Sequence, residues 1–242
     1  MDFTYQSYRT LLQALRENSY SFQTYHEAQN VSRCVVMRHD IDYSLSQAVR
    51  MAELERDEGV SAAYFVLLRT DFYNAASKYG LKALRQIQEL GHEIGLHFDE
   101  TAYENQQSPE QIVQSIMKEC GLLSALLETR VSTVSMHRPS PETLEADLQI
   151  PGIVNSYGRV FFQEFKYLSD SRRRWREPVM DIVSSGKYDR LHILTHAFWY
   201  HEQNETIFES IRGFICSANQ ERYIQLSENI TDIGSIIGED DI

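Results

Sequence analysis

The chain alternates between segments with a helical spacing of apolar residues and short apolar runs. In residues 5–17 the apolar side chains Tyr8, Leu11, Leu12 and Leu15 have the i, i+3, i+4, i+7 spacing of an amphipathic helix. Comparable patterns and end signals predict helices over 44–58, 78–90, 108–128 and 202–217. Short apolar runs predict strands over 21–25, 35–42, 61–68, 92–98, 131–136, 153–157, 164–168 and 190–194.

Strands and helices alternate, which indicates a mainly parallel sheet, either closed as a barrel or open and doubly wound. No internal repeat or low-complexity linker interrupts this order. We therefore expect one domain over 1–242, with its core at about 20–220. The tail at 227–242, which includes Gly238-Glu239-Asp240-Asp241, is expected to fray or to lie on the surface.

Two carboxylates, Asp40 and Asp42, stand two residues apart at the end of the strand predicted over 35–42. Residues i and i+2 of a strand point to the same side, so these carboxylates are expected to project together. Like charges that close repel unless they share a proton or a cation lies between them, which predicts a proton-transfer pair or half of a metal site. In the competing interpretation, Asp42 caps the helix that starts near Ser44.

Length, charge and cysteine content narrow the class of protein. A chain of 242 residues with 42% hydrophobic residues is long enough for one α/β barrel, or for one or two smaller domains, and can bury a real core. Its 23 basic and 35 acidic residues give a formal charge of −12, which argues against a nucleic-acid partner. No apolar run reaches the length of a membrane span, and residues 1–4 lack a basic region, so we expect no signal peptide. Cys34, Cys120 and Cys216 are widely spaced, as expected of reduced thiols in the cytoplasm.

Residues that bind metals or transfer protons follow four of the predicted strands. They are Asp40 and Asp42, then His97 and Asp99, then His137 and Arg138, and finally His196. In parallel α/β folds the C-terminal ends of the strands form the active face. Their recurrence at four strand ends predicts that these side chains gather in one site.

The remaining histidines and one tryptophan have ordinary alternatives. His92 begins a strand and is expected to pack or to bond a backbone carbonyl, and His192 lies deep in the last strand, as a core histidine does. His26 and His201 stand in polar segments and are expected at the surface. Trp199 is either a core residue or a flat apolar face that stacks on a sugar ring.

A basic cluster lies at Arg172-Arg173-Arg174-Trp175-Arg176. It is either a solvated turn or part of the site. In the second case the guanidinium groups would bind an anionic sugar or a nucleotide diphosphate, since their planar forks match phosphate oxygens. The sequence leaves both interpretations open.

The order of these motifs resembles that of the polysaccharide deacetylases, carbohydrate esterase family 4. Between Arg33 and Trp199 the matching segments are Asp40-Ile41-Asp42, Gly91-His92-Glu93-Ile94-Gly95-Leu96-His97, Arg138-Pro139 and Leu194-Thr195-His196. The His39-Asp40-Ile41-Asp42 form, with Ser169-Asp170-Ser171 and Trp175-Arg176, looks like a branch of deacetylase-like proteins from bacterial surface-polysaccharide gene clusters.

This resemblance implies a distorted (β/α) barrel of about seven strands that holds a divalent metal, often zinc, and removes acetyl groups from sugars. By position it implies a general base at Asp40, metal ligands at Asp42 and His97, an arginine orienting the base at Arg138, a general acid at His196 and an acidic partner at Asp170. Trp199, Trp175 and Arg172 are our candidates for contact with an acetylated sugar or oligosaccharide substrate.

The chain departs from the family pattern at Thr101. The family's second histidine ligand follows the first by four residues, and threonine is a poor zinc ligand. Because catalytic zinc usually takes three protein ligands, another residue is needed. His137 at the neighbouring strand end is the first candidate, and Asp99 and Glu100 are the alternatives. A carboxylate in this place would favour a harder cation than zinc.

Three functions fit these features. The first is a metal-dependent deacetylase in the biosynthesis of a surface polysaccharide, such as O-antigen or capsule. The second is a non-catalytic carbohydrate-binding homologue, which Thr101 motivates. The third is a metal hydrolase that cleaves another amide. The sequence leaves the acyl group, the substrate and the oligomeric state open.

Overall fold

One sheet of eight parallel strands organises the first of two compact units, which are Met1–Glu202 and Gln203–Ile242. The computed structural model describes residues 1–103, 108–238 and 241. The strands of this described part are β1 (Ser21–Phe22), β2 (Cys34–Ile41), β3 (Ala63–Leu67), β4 (Glu93–Asp99), β5 (Thr133–His137), β6 (Val154–Asn155), β7 (Lys166–Ser169) and β8 (Arg190–Thr195).

Strand β2 lies in the interior of this sheet and pairs with β1, β3 and β8. Seven strands follow in the order β6-β5-β4-β3-β2-β8-β7, and β1 pairs with the start of β2. All the pairings are parallel. Every residue of β2 is buried, as expected of an apolar run covered on both faces. The predicted distorted α/β barrel is confirmed, as a curled half-barrel of parallel strands with flanking helices.

The longer helices of the structure lie where a helical spacing of apolar residues predicted them. They are α1 (Tyr5–Glu17), α2 (Leu45–Asp57), α3 (Lys78–Glu89), α4 (Pro109–Leu127), α5 (Pro141–Glu145), α6 (Val179–Ser185) and α7 (Ile207–Ser227). The hydrophobic pattern does not predict α5 and α6, because helices of 5 and 7 residues are too short to show a period. Helix α7 begins at Ile207 and not near Glu202, because Thr206 and Glu209 form a capping box at its start.

The core of the first unit begins close to the N-terminus. The apolar face of α1 is buried, and so is Phe3 before it. Buried side chains continue from there to Tyr200. Cys34 and Cys120 are buried and Cys216 is exposed, and all three thiols are free.

The second unit consists of α7 and a short 3₁₀ turn at Ile233–Ser235. Within it the hydroxyl of Tyr223 donates a hydrogen bond of 3.2 Å to the carbonyl of Ile237. Of the tail predicted to fray, Glu239, Asp240 and Ile242 lie outside the described residues. Across the residues that are described, no helix has the length and apolar character needed to cross a bilayer.

Gly95 on β4 lies where two buried side chains approach the backbone. A Cβ at this position would stand 2.4 Å from Cε1 of Phe65 and 2.7 Å from Oγ1 of Thr133. Both neighbours are buried, so neither can move without disturbing the packing. We expect Gly95→Ala to lower the free energy of unfolding by about 1–3 kcal/mol, the usual effect of overpacking.

Gly121→Ala on α4 is the matched control, because a Cβ at Gly121 meets nothing within 4 Å. We expect this substitution to raise the free energy of unfolding by about 0.5–1 kcal/mol, because alanine is the better helix former. Urea denaturation of both variants measures the difference. Equal stability of the two proteins would contradict the packing inferred around Gly95.

Candidate active site

The alternation of β2 separates two sets of polar side chains. Arg38, Asp40 and Asp42 follow one another at every second position, so they share the face that carries Val36. Asp42 stands just after the strand and is not the cap of α2. That role belongs to Ser44, whose hydroxyl accepts from the N–H of Gln47 at 3.3 Å. Asp42 is therefore available to a ligand.

Three ligand atoms from three strand ends converge at this place. Asp42 Oδ1 lies 3.4 Å from His97 Nε2 and 3.5 Å from His137 Nδ1. The two histidine nitrogens are 3.1 Å apart. These residues form the group of metal-competent side chains found within the described chain. β4 supplies His97 and β5, its neighbour in the sheet, supplies His137.

The triangle fits a divalent metal ion. Four ligands at about 2.0–2.1 Å around a tetrahedral ion stand about 3.3–3.4 Å apart, close to the three distances found. Asp42 Oδ1 is buried and, among the described residues, accepts no hydrogen bond of good geometry. A buried carboxylate oxygen of this kind needs a positive partner. Burial would raise the pKa of Asp42, but His137, His97 and His196 hold it well below its usual value.

The alternative third ligands are engaged in local hydrogen bonds. Asp99 Oδ1 accepts from the N–H of Thr101 at 2.9 Å and from its hydroxyl at 2.7 Å. Glu100 accepts from the N–H of Ser140 and the hydroxyl of Thr143, both at 2.5 Å, at the start of α5. Among the candidates for the third ligand, His137 is the one that lies with Asp42 and His97.

Ser135 orients His97. Its hydroxyl lies 2.6 Å from His97 Nδ1 and donates to Asp40 Oδ1 at 3.4 Å. When His97 uses Nε2 as a ligand atom, Nδ1 carries the proton and donates to Ser135. A bond of this kind sets the tautomer and the ring orientation of a metal-binding histidine.

We expect Ser135→Ala to weaken metal binding by about 10- to 100-fold, because the ring of His97 loses its partner. The control is Ser132→Ala, since Ser132 Oγ lies 2.9 Å from Nε2 of the exposed His26. Competition with a chromogenic chelator measures both proteins. Ser135→Ala with the affinity of the control would contradict the orienting role.

Asp40 is held by Arg38. Nε and Nη2 of Arg38 donate to the two carboxylate oxygens, both at 2.8 Å. Burial would raise the pKa of Asp40, but attraction to Arg38 and His97 lowers it. Oδ2 of Asp40 lies 3.6 Å from His97 Nε2, so an ionised carboxylate stands next to the three ligand atoms.

The resemblance implied that Arg138 orients the base, whereas the arginine that contacts Asp40 in the structure is Arg38. The guanidinium bound to Asp40 is that of Arg38, because the two residues are i, i+2 neighbours on one strand. Arg138 follows β5, is exposed, has a left-handed φ of 50° and lies beside Tyr43. Arg38 is therefore the arginine that binds Asp40 in the structure, and a role of Arg138 in orienting the base stays a prediction.

His196 lies next to the other carboxylate oxygen of Asp42. Its Nε2 lies 3.9 Å from Asp42 Oδ2. Its Nδ1 lies 2.7 Å from Oδ1 of the fully buried Asp170, whose Oδ2 accepts the backbone N–H of His196 at 3.1 Å. Burial would lower the pKa of His196, but Asp170, Asp42 and Asp40 raise it to about 9. The ring therefore holds a proton at neutral pH.

The three predicted substrate contacts lie in different settings. Trp199 is half-buried and packs on Phe198, with ring centroids 4.7 Å apart. Trp175 is also half-buried and lies beside Tyr200, which borders Asp170. Arg172 is exposed and has a left-handed φ of 60°. Their contact with a substrate stays a prediction.

The opposite face of β2 carries a buried polar network. His39 Nε2 lies 2.8 Å from Glu55 Oε1, and His39 Nδ1 lies 2.6 Å from Oγ1 of Thr195 on β8. The hydroxyls of Tyr8 and Tyr64 donate to Glu55 at 2.6 and 2.5 Å. The network links β2 to β8 through His39 and Thr195, which directly precede Asp40 and His196 in the sequence.

The other histidines mostly lie as expected. His92 Nε2 is 2.9 Å from the carbonyl of Ala52, and the buried His192 pairs with the hydroxyl of Tyr25 at 2.7 Å. His26 is exposed. His201 is half-buried, because its backbone pairs with the segment at Phe3–Tyr5.

Sequence analysis missed three residues that shape this site. Arg38 stands two positions before Asp40, and Ser135 two positions before His137, so strand alternation alone places each pair on one face. For Glu55 there was a weaker signal, an acid one turn after Met51 on the apolar face of α2.

Comparisons with known proteins give similarity to solved structures alone. No protein-family model and no curated protein match this sequence. A chitin deacetylase from Colletotrichum lindemuthianum aligns at 13% identity and a TM-score of 0.47, over 77% of this chain and 85% of that chain. An acetyl xylan esterase from Clostridium thermocellum, in complex with cobalt, aligns at 16% identity and a TM-score of 0.43, over 77% of this chain and 84% of that chain.

Two further structures are longer than the part that aligns. A carbohydrate esterase family 4 pseudoenzyme from Bacillus anthracis aligns at 16% identity and a TM-score of 0.44, over 79% of this chain. A Streptococcus pyogenes deacetylase in complex with acetate aligns at 16% identity and a TM-score of 0.44, over 56% of this chain. The chain spans 64% of the length of each. At such identities and TM-scores, these likenesses assign neither an activity nor a ligand to this chain.

Proposed function

We propose that this chain is a metal-dependent hydrolase that removes acetyl groups from a sugar or a polysaccharide precursor. The observation that carries the proposal is the gathering of Asp42, His97 and His137, with Asp40 and His196 next to them. Three protein ligands leave a position open, which is the pattern of catalytic and not of structural zinc sites.

Asp42, His97 and His137 would hold the cation, and an ion bound there would supply Lewis-acid polarisation and a water of lowered pKa. Zinc suits two imidazoles and one carboxylate, and we propose it as the metal. Asp40, ionised and fixed by Arg38, accepts the proton of the attacking water.

His196 serves as the general acid. Its raised pKa, about 9, keeps a proton on the ring, and Asp170 fixes Nδ1 so that Nε2 carries the proton facing the site. From there it donates to the departing amine or alcohol. The ionised base and the protonated acid thus stand in opposite protonation states at neutral pH, as acid–base hydrolysis requires.

For the substrate we propose an acetylated sugar or oligosaccharide used in the synthesis of O-antigen or capsule in the cytoplasm. Trp199 would stack on a sugar ring. Arg172, with Trp175 in the same cluster, would meet an anionic part of the substrate. The position of His137 supports an enzyme over the non-catalytic carbohydrate-binding homologue, because it supplies the ligand that Thr101 does not.

Acetate release by metal-stripped protein, before and after addition of zinc, tests the proposal on acetylated oligosaccharides. We expect no release without metal and restored release with one equivalent. Binding of the glycans without release would favour the non-catalytic homologue. Zinc-dependent hydrolysis of other small amides, with acetylated sugars untouched, would favour the hydrolase of another amide.

A further inference from the structure

The salt bridge between Arg38 and Asp40 occupies a carboxylate that stands within reach of the metal ligands. Both oxygens of Asp40 accept from the guanidinium at 2.8 Å, and Ser135 adds a bond of 3.4 Å to Oδ1. Oδ2 is 3.6 Å from His97 Nε2, slightly more than the separation of about 3.3–3.4 Å between two ligands on one tetrahedral ion. Without the bonds to Arg38, this carboxylate would be free to turn toward the ion as a fourth ligand.

We propose that Arg38 is a positioning residue that keeps Asp40 off the cation held by Asp42, His97 and His137. This inference rests on the proposed function. Zinc with four protein ligands is closed and structural, whereas catalytic zinc keeps an open position. By holding Asp40 back, Arg38 preserves both the open position and a free proton acceptor.

The surroundings of Arg38 suit this task. Its side chain is fully buried, and the guanidinium carbon lies 4.8 Å from the ring centroid of Tyr157 and 5.4 Å from that of Phe65. The aromatic faces limit the movement of the guanidinium, and arginine stays charged at any working pH. Arg38 therefore presents a fixed fork to Asp40.

One geometric feature distinguishes this role from simple charge balance. A guanidinium binds both carboxylate oxygens in one plane, while an ammonium group binds as a point charge. If orientation matters, lysine cannot replace Arg38 in function even where it restores folding. If charge alone matters, Arg38→Lys preserves both metal affinity and turnover.

The test measures zinc affinity by chelator competition, the visible absorption of the cobalt-loaded protein, and kcat with KM. The variants are Arg38→Met, Arg38→Lys and Arg38→Met/Asp40→Asn. We expect Arg38→Met to bind zinc about 10-fold more tightly or better, the scale on which neighbouring groups tune metal sites. Its cobalt spectrum should change, and kcat should fall while KM stays close to that of the parent protein.

The double variant separates the two residues. With Asp40→Asn present, Arg38→Met is expected to leave zinc affinity unchanged, because no carboxylate remains to move. Removing Asp40's charge also protects the fold of the double variant. Arg38→Lys keeps a buried cation and replaces Arg38→Met in the experiment if that variant does not fold. We expect Arg38→Lys to bind zinc more tightly than the parent protein and to lose kcat as well.

The inference is overturned if folded Arg38→Met, or Arg38→Lys in its place, keeps the zinc affinity, the cobalt spectrum and the kcat of the parent. It is also overturned if zinc binding weakens in these variants. Failure of the proposed function looks different, since the parent protein itself would then bind no zinc and release no acetate.

Discussion

Asp40→Asn is expected to lower kcat by about 10²–10⁴-fold, the range for loss of a general base, while zinc stays bound. The amide has the size of the carboxylate but cannot take the proton of water. Metal affinity depends on Asp42, His97 and His137, which the substitution leaves in place. Loss of rate without loss of metal is the signature of a residue that acts in the transition state.

Asp189→Asn is the matched control for this experiment. Asp189 is an exposed carboxylate, paired with Arg33 at 3.0 Å, at the start of β8 and away from the C-terminal strand ends. We expect this variant to keep kcat and zinc affinity. Steady-state acetate release and chelator competition on both proteins give the comparison. An Asp40→Asn protein with the kcat of the control would remove Asp40 from the mechanism.

Glu55→Ala is expected to lower the free energy of unfolding by about 1–3 kcal/mol for each buried partner that it leaves without a hydrogen bond. Glu55 is fully buried and accepts from Tyr8 and Tyr64, with His39 at 2.8 Å. Without the carboxylate, these groups stay buried and lose their partner. Urea denaturation followed by circular dichroism measures the loss.

Glu58→Ala at the end of α2 is the control for Glu55→Ala. Glu58 pairs with Arg16 at 3.2 Å on the surface, and exposed pairs of this kind contribute about 0–1 kcal/mol. A Glu55→Ala protein as stable as Glu58→Ala would show that the network contributes nothing to the fold.

The contribution of Glu55 depends on pH with a defined sign. Burial would raise the pKa of Glu55, but His39, His92 and Tyr64 hold it below its usual value. A group whose pKa is lowered on folding stabilises the protein above its unfolded pKa, about 4.3 for glutamate, and loses this effect as the pH falls through the folded value. Glu55→Ala should therefore cost less stability in acid than at neutral pH.

Much of the fold could be predicted because its elements show their period in the sequence. The apolar run before Asp40 is buried at every position in the structure. Helix α1 has the bounds that its apolar spacing predicted, 5–17. The short helices α5 and α6 have too few residues for a period, and their position depends on the strands around them.

The site also contains residues that the sequence could predict and residues that it could not. His137 joins Asp42 and His97 because parallel strand ends meet at one edge, a rule that needs no knowledge of side-chain contacts. The resemblance pointed to an arginine after β5, whereas the arginine that binds Asp40 in the structure is Arg38 on β2 itself. Networks such as that of Glu55 join distant segments, which a pattern within one segment does not reveal.

Anomalous scattering from zinc-soaked crystals tests the metal centre most directly. We predict one zinc per chain, about 2.0–2.2 Å from Asp42 Oδ1, His97 Nε2 and His137 Nδ1, with Asp40 outside the coordination sphere. Chelator competition in solution should give the same one-to-one stoichiometry. Crystals without an anomalous peak at these residues, or with the ion bound elsewhere in the chain, would contradict the account.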